Sequence, residues 1–380
     1  MKIDFSNRIF GLDVMRAAAI LFVVCSHALW VFPEAEGSFV SLLRLSGVMG
    51  VEIFFVLSGF LIGRILFRIF TDEGFKTKYL TYFLIRRWFR TLPNYYLVLG
   101  VNILLVLALG RKLPDTLPLY FGFLQNFNFG MDIFFTESWS LPIEEFAYII
   151  GPLLFYLVLL PKWKMSRKRL FLWVTLGIIL FFLVTKVSYT LETGANTLDY
   201  WNINLKAVLM YRIDAIYYGV LAAYLSLVKP EIWKKYTVPS LFLGLFLFVG
   251  IHAWMGSQGW DTQTQPFFLN VLYLPLCSLC IAASLPFFSR LKRAPGALLV
   301  PVTFISLVSY SMYLLHYSII LQSMRYFFPT EGYTLWEKWA FAMGYLVVTI
   351  SLSYVLYGLY EKPMMDLRDR DYFRRKFDSK

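Results

Sequence analysis

Residues 47–69 read GVMGVEIFFVLSGFLIGRILFRI, an apolar run in which Glu52 is the only charged residue before Arg64. A helix needs about 20 mostly apolar residues to cross the hydrocarbon core of a bilayer. This stretch has that length and ends in basic residues. It therefore predicts a transmembrane helix.

The composition of the whole chain also indicates a membrane protein. Of its 380 residues, 58% are hydrophobic and only 16% are charged. A soluble domain is nearer half apolar and a quarter charged, so a soluble fold of this size would need far more charged surface. The segments with the length and apolarity of spans are 10–32, 47–69, 92–109, 139–160, 170–186, 206–228, 237–254, 267–288, 300–322 and 337–360. We therefore predict an all-α integral membrane protein, a bundle of about ten transmembrane helices.

The basic residues alternate between the two sides of this bundle. The N-terminus, the even-numbered loops and the C-terminus together hold 27 of the 36 Lys and Arg residues, and the odd-numbered loops hold seven. Cytoplasmic loops carry the excess of Lys and Arg, so both termini are predicted to be cytoplasmic, in the cell inner membrane. Residues 1–365 are expected to form the transmembrane domain and residues 366–380 a charged cytoplasmic tail.

Two other classes of partner are not expected. The net charge of +12 is spread over loops between apolar segments, whereas nucleic-acid binding needs basic residues on one soluble face. Cys25, Cys277 and Cys280 lie inside apolar runs without Cys or His partners at zinc-binding spacing, so no metal site is expected.

Ionisable residues inside the predicted spans are the most informative ones. They are costly in lipid and usually face the bundle interior or a wet cavity. Arg16 and His27 are eleven residues apart, which returns to one helix face about 16 Å further along. Six more ionisable residues are expected near the depth of His27: Glu52, Glu144, Glu145, Arg212, Asp214 and His316. Each alone could be a contact between helices, but together they predict a functional cavity.

A basic motif lies on the predicted cytoplasmic side. Arg86, Arg87 and Arg90 precede Pro93 in IRRWFRTLPNYY. The planar guanidinium group recognises phosphate with two hydrogen bonds, so the three residues could hold a nucleotide-like cofactor. The bias of cytoplasmic loops toward basic residues explains them equally, and composition alone favours that explanation.

Seven motifs, in order along the chain, resemble the membrane acyltransferase-3 family of O-acyltransferases that modify bacterial surface polysaccharides and some small molecules. They are RAAAILFVVCSHA (16–28), GVEIFFVLSGFLIGRIL (50–66), RRWFRTLPNYY (86–96), ESWSLPIEEFAYIIGPLLF (137–155), YRIDAIYYGVLAA (211–223), SYSMYLLH (309–316) and YEKP (360–363). The resemblance implies a ten-helix bundle that takes an acyl group, expected to be acetyl, from cytoplasmic acyl-CoA. It further implies an extracytoplasmic carbohydrate acceptor.

The resemblance also implies roles for single residues. His27 is expected to be the general base, and Arg16 its partner along the acyl-CoA path. Arg87 and Arg90, with Arg86 beside them, are expected to contact the phosphates of acyl-CoA. The residues expected to bind substrate are Trp139, Ser140, Arg212, Asp214 and His316.

The expected chemistry is general-base catalysis. Acyl transfer to a hydroxyl needs a base that titrates near the operating pH, which histidine supplies. Glu52 and Glu144 are expected to orient His27 and to stabilise its charge. Glu52 stands where the family more often has aspartate, and Phe146-Ala147 replaces Gln-Phe. The residues leave open which group stabilises the oxyanion and whether His27 is itself acylated.

A multi-span transporter of a saccharide or another small solute is the alternative, since intramembrane charges also line transport paths. Secondary transporters often contain internal repeats, and no repeat relates residues 1–190 to 191–380. A structural scaffold is a third possibility, but it would not need a buried layer of histidine, arginine and carboxylate side chains.

The predicted topology can be tested with reporter fusions. We expect a reporter fused after Arg169 to be active in the cytoplasm and one fused after Gly256 to be active outside it, because the basic residues divide so unequally. If both reporters indicate the same side, the ten-span topology is wrong.

Overall fold

The computed structural model describes residues 8–161 and 164–368, and its regular structure in these ranges is helical. Nine helices there are long and apolar enough to cross a membrane, and one further apolar helix is shorter. In chain order they are α1 (Phe10–Val31), α2 (Ser38–Thr71), α3 (Thr77–Ala108), α4 (Thr136–Leu159), α5 (Arg167–Thr193), α6 (Asp214–Val228), α7 (Thr237–Gln258), α8 (Phe268–Phe288), α9 (Gly296–Phe327) and α10 (Leu335–Arg368). Each predicted segment overlaps one of these helices, which confirms the all-α membrane bundle. Residues 369–380 of the predicted tail lie outside the described residues.

The sixth helix is shorter than predicted. The predicted span begins at residue 206, whereas α6 begins at Asp214 and has 15 residues. The backbone N–H of Leu209 instead bonds to the carbonyl oxygen of Asn126 at 2.9 Å, and the side-chain amide of Asn126 donates to the carbonyl of Ala207. Non-helical backbone is tolerated at membrane depth only where protein or water satisfies its polar groups. The segment before α6 therefore folds back onto the loop that contains Asn126.

Helix α2 packs closely against α1 and α6. A Cβ atom at Gly59 would lie 1.8 Å from the carbonyl oxygen of Ile216, and one at Gly219 would lie 2.0 Å from that of Val56. Small residues let membrane helices approach closely, and this packing drives much of their association. The contact between α2 and α6 therefore requires glycine on both helices.

Two buried ion pairs join helices around α2. Glu52 of α2 pairs with Arg212, which precedes α6, and Lys186 of α5 pairs with Asp214 at the start of α6. All four side chains are at most 1% exposed. Ser278 of α8 donates a 2.9 Å hydrogen bond to the second carboxylate oxygen of Glu52. Removing one partner of a buried ion pair leaves an uncompensated charge, so the two pairs hold α2, α5 and α6 in place, and the Ser278 hydrogen bond adds α8.

Other buried carboxylates join the remaining helices. Glu361, in the YEKP motif of α10, accepts hydrogen bonds from Asn94 of α3 at 2.8 Å and from Ser311 of α9 at 2.5 Å. Glu145 of α4 accepts a 2.6 Å hydrogen bond from Thr91 of α3. Each carboxylate is thereby hydrogen-bonded to a neighbouring helix, although the second oxygen of Glu145 is buried without a partner among the described residues.

Helix α7 lies at the edge of the bundle. Gly244 is its one buried residue, and Phe242 and Phe246 are 65% and 75% exposed. Large exposed apolar surfaces mark contact with a membrane or a partner. In a span of this length they suit lipid acyl chains.

The close contact of α2 with α6 predicts the effect of adding one methyl group. Gly59→Ala should lower the midpoint of thermal unfolding in detergent by several degrees, because the added Cβ meets the backbone of α6. Gly100→Ala is the matched control, since a Cβ at Gly100 of α3 meets nothing within 4 Å. That control should unfold at the same or a higher temperature, because alanine favours a helix by roughly 0.5–1 kcal/mol over glycine. Equal midpoints for Gly59→Ala and the unmodified protein would contradict the close contact.

Candidate active site

His27 lies beside His316 although 289 positions separate them in the chain. The α-helical part of α1 ends at His27, and His316 begins a π-helical stretch of α9, His316–Leu321. The distance from His27 Nδ1 to His316 Nε2 is 3.1 Å. Short π-helical turns are uncommon and frequently occur at functional sites. The turn in α9 therefore accompanies a pair of histidines in direct contact.

The hydrogen bonds of this pair indicate which ring nitrogens carry hydrogen. His316 Nδ1 lies 2.8 Å from the carbonyl oxygen of Tyr313, which can only accept. In neutral His316 the hydrogen is therefore on Nδ1, and Nε2 accepts a hydrogen bond from His27 Nδ1. The same His27 nitrogen lies 3.0 Å from the carbonyl oxygen of Val23. Neutral His27 thus carries its hydrogen on Nδ1, and its Nε2 keeps a lone pair that can accept a proton.

His27 and His316 line a cavity of about 210 Å³, called here the histidine cavity. Glu137 also lines it and is 4% exposed. Its carboxylate accepts hydrogen bonds from the backbone N–H of Ser318 at 3.1 Å and from the hydroxyl of Ser318 at 2.6 Å. Sequence reasoning missed Glu137, because the predicted fourth span began at Trp139 whereas α4 begins three residues earlier. An acidic residue two positions before Trp139 in the ESWSL motif was the available signal.

Trp139 forms another part of the wall of the histidine cavity. The ammonium group of Lys206 lies 5.3 Å from the centroid of its ring, and the ring of Phe55 packs edge-on at 6.0 Å. A cation over an aromatic face is stabilising, more so away from water. The indole is therefore held between a cation and an aromatic ring.

A second, middle cavity of about 90 Å³ lies on the other side of Tyr313. Arg16, Arg87, Arg90 and Glu144 line it. Glu144 accepts a 2.9 Å hydrogen bond from Tyr148, and the guanidinium of Arg87 lies 5.6 Å from the centroid of the Tyr148 ring. Glu144 and Arg16 therefore share a cavity with the basic motif and not with His27.

A third cavity of about 560 Å³, the arginine cavity, lies beyond the middle one. Its wall contains five arginines and one acidic residue, Asp72. The arginines are Arg68, Arg86, Arg87, Arg90 and Arg368. Such an excess of guanidinium groups suits a ligand with several anionic groups.

The three cavities follow one another through the bundle. Arg87 and Arg90 line both the arginine cavity and the middle cavity. Val51 and Tyr313 line both the middle cavity and the histidine cavity. At that junction the hydroxyl groups of Ser140 and Tyr313 are 2.7 Å apart. Val51 and Tyr313 therefore form the shared wall between the middle cavity, which the arginines line, and the cavity that His27 lines.

Three of the predicted site residues line none of these cavities. Glu52, Arg212 and Asp214 lie in the buried ion pairs that join α2, α5 and α6. Their contacts position helices, and the structure does not bring Glu52 to His27. Within residues 8–161 and 164–368, no group of three or more His, Cys, Asp or Glu side chains could hold a metal ion.

Comparison with known proteins identifies relatives along nearly the whole chain. A family model described as an acyltransferase domain, Acyl_transf_3, matches residues 9–358. A Bacillus subtilis (strain 168) protein, provisionally named a peptidoglycan O-acetyltransferase, is 26% identical over 99% of this chain and 58% of its own length. The peptidoglycan O-acetyltransferase OatA of Listeria monocytogenes is 30% identical over 42% of this chain and 26% of its own length.

The relatives are longer than this chain. A Staphylococcus aureus (strain COL) protein, provisionally named an O-acetyltransferase, is 25% identical over 82% of this chain and 50% of its own length. The alignments thus span between about a quarter and three fifths of these curated relatives. No solved structure matches the chain. The family model covers all ten helices up to the last turns of α10, and the chain therefore belongs to the Acyl_transf_3 family of acyltransferases.

Proposed function

We propose that this protein transfers an acetyl group from acetyl-CoA, bound on the cytoplasmic side, to a hydroxyl of a carbohydrate acceptor on the other side of the inner membrane. The observation that carries the proposal is the series of cavities from the five arginines to His27. The names of the relatives support an acetyl group and a glycan acceptor.

The arginine cavity suits the nucleotide end of acetyl-CoA. Coenzyme A carries a pyrophosphate and a further phosphate, and guanidinium groups bind such oxygens with paired, charge-assisted hydrogen bonds. The rings of Tyr79 and Tyr82 line the same cavity and give it aromatic surface of the kind that packs against an adenine. Arg87 and Arg90 lie where this cavity meets the middle one, so the pantetheine arm would pass between them toward Tyr313.

In this proposal His27 acts as the general base. Its Nε2 removes the hydrogen of the acceptor hydroxyl as the oxygen attacks the thioester carbonyl. The new carbon–oxygen bond forms, the carbon–sulfur bond breaks, and the departing thiolate takes the proton from His27. His316 accepts a hydrogen bond from Nδ1 of His27 and so keeps the ring hydrogen of His27 on that nitrogen. Nε2 of His27 therefore remains its basic nitrogen. Glu137 lines the same cavity, where its carboxylate offsets the positive charges of Arg44 and Lys206, which also line it.

The Ser140–Tyr313 pair supplies a donor for the developing oxyanion. The two hydroxyls share one hydrogen in their 2.7 Å contact, so the second hydrogen is free to point elsewhere. Tyr313 lines both the middle and the histidine cavity, where the thioester carbonyl would lie. Fixed donors aimed at developing charge contribute strongly to acyl transfer.

Replacing the shared arginines tests donor binding. Arg87→Ala and Arg90→Ala should each raise the KM for acetyl-CoA roughly tenfold or more and leave acceptor binding nearly unchanged, because each removes charge-assisted hydrogen bonds. The lysine variants should keep part of the defect, because lysine retains the charge without the planar fork. Steady-state kinetics on purified protein measures both.

Arg64→Ala is the matched control for this test. Arg64 lies on α2, four residues before Arg68, and does not line the arginine cavity. Its loss should leave the KM unchanged. Full activity of both the alanine and the lysine variants at Arg87 and Arg90 would show that they serve topology alone.

Replacing His27 tests the base. His27→Gln should fold, insert and bind acetyl-CoA, yet transfer acetyl 10²–10⁴-fold more slowly, the usual loss for a missing general base. His252→Gln is the control, because His252 of α7 also bonds a backbone carbonyl four residues back, at 2.7 Å, and lies outside the cavities. Protein amount, acetyl-CoA binding and turnover are measured together. A His27→Gln protein that keeps more than about a tenth of the turnover is inconsistent with His27 as the base, and His316 becomes the next candidate.

A further inference from the structure

A fourth cavity opens beside the histidine cavity, on the side away from the arginine cavity. It has a volume of about 1090 Å³, and Thr136 and Tyr317 line both cavities. Its walls come from residues 102–116, residues 132–136 and the end of α9. This space, called here the acceptor cleft, is far larger than an acetyl group needs. It adjoins the histidine cavity, so a second substrate in the cleft would lie next to the cavity that contains His27.

The lining of the cleft offers the groups that saccharides require. The rings of Tyr317 and Tyr326 contribute aromatic surface to the wall, and Ser318, Gln322 and Ser323 provide hydroxyl and amide groups. Binding sites combine apolar and aromatic surface with a few convergent polar groups that fix orientation. A sugar ring presents apolar faces and equatorial hydroxyls, so it matches this combination.

The charges of the cleft specify the ligand further. Three cations line it, Arg111, Lys112 and Arg325, against two carboxylates, Asp115 and Asp132. The carboxylate of Asp132 already accepts a hydrogen bond from the hydroxyl of Thr116. The cleft therefore has a net positive charge.

The three cations of the cleft form no direct ion pair with the part of the chain that the structure describes. None of the ion pairs among those residues involves Arg111, Lys112 or Arg325. The guanidinium of Arg111 lies 5.7 Å from the centroid of Tyr326, and that of Arg325 lies 5.6 Å from the centroid of Trp30. Each is held over an aromatic face, which orients it while its hydrogen-bond donors stay available.

We propose that the acceptor cleft binds the acceptor and that this acceptor is a saccharide with an anionic group, a carboxylate or a phosphate. The inference rests on the proposed function, because it takes His27 as the base of the transfer. The hydroxyl to be acetylated enters the histidine cavity between Thr136 and Tyr317. The remaining sugar units lie in the cleft, with the anionic group against Arg111 and Arg325.

The test removes the charge of the cleft and leaves the donor path intact. Full-length protein carrying both Arg111→Gln and Arg325→Gln is compared with the unmodified protein in a host that lacks its own copy of the gene. Lys338→Gln is the matched control, since Lys338 lies at the same end of the bundle, outside the cleft, and pairs with Glu34. A double variant with lysine at both positions keeps the positive charge and loses the planar guanidinium groups. It therefore distinguishes a requirement for charge from a requirement for guanidinium geometry.

Two quantities are measured for each protein. Purified protein in detergent gives the Kd for acetyl-CoA, and membranes supplied with radiolabelled acetyl-CoA give the acetyl incorporated into the host's glycans. We expect the double Gln variant to bind acetyl-CoA as before and to label glycans about tenfold less or weaker still, because charge-assisted bonds to the acceptor are lost. The double Lys variant should recover part of this labelling, and the control should match the unmodified protein.

The labelled product identifies the anionic group. It should be retained on an anion exchanger. Loss of retention after carboxyl reduction identifies a carboxylate, and loss of retention after phosphodiester cleavage identifies a phosphate. Unchanged labelling by the double Gln variant, a neutral product, or a parallel loss of acetyl-CoA binding would each overturn the proposal. An unmodified protein that binds acetyl-CoA but labels no glycan contradicts the proposed function itself.

Discussion

The requirement that buried charge be paired inside the bilayer organises this protein. An isolated charge away from water is costly, whereas a paired and hydrogen-bonded one is tolerated. Glu52 with Arg212 and Lys186 with Asp214 satisfy this requirement across α2, α5 and α6. Glu361 has no ion-pair partner among the described residues and instead accepts hydrogen bonds that join α3, α9 and α10. The helices must keep the positions that these contacts define. The same requirement separates two kinds of polar residue, those that neutralise each other and those that face a cavity.

The residues that face cavities divide between the two ends of the bundle. The arginines lie at one end, and the two histidines lie with Glu137 toward the other. If the proposed function is correct, the separation of the arginines from the histidines has a chemical reason. The nucleotide is large and highly charged and stays on its own side, while only the thioester approaches the histidine. The small middle cavity then suits a short acyl group, and the acceptor approaches His27 from its own side. Neither substrate has to cross the membrane.

The contact between His27 and His316 determines which ring nitrogen of His27 carries the hydrogen. A lone histidine in a helix can carry its hydrogen on either nitrogen. Here two backbone carbonyls and the second ring leave Nδ1 of His27 as a donor, so Nε2 alone is basic. The π-helical turn of α9 begins at the residue that makes this contact. The irregular backbone of α9 thus begins at the residue whose ring contacts Nδ1 of His27.

Apolar runs and basic loops were enough to predict the bundle, because crossing a bilayer requires about 20 apolar residues, and nine of the ten segments have that length among the described residues. Family motifs added the expected residues His27, Arg87 and Arg90. Depth along a span could not show which residues meet, because depth says nothing of the face a side chain occupies. It therefore grouped Glu52 and Glu144 with His27, whereas Glu52 pairs with Arg212 and Glu144 faces the arginines.

What the sequence by itself determined is the number of apolar helices, the distribution of basic residues and the identity of the ionisable side chains, since these depend on local composition. Only the tertiary structure decided which charges neutralise each other, that Glu137 rather than Glu52 shares a cavity with His27, and that α6 starts at Asp214. Those outcomes depend on helix rotation and on hydrogen bonds between segments far apart in the chain, such as Asn126 with Ala207. No local pattern of residues encodes such contacts, because the partner that satisfies each group is chosen by packing.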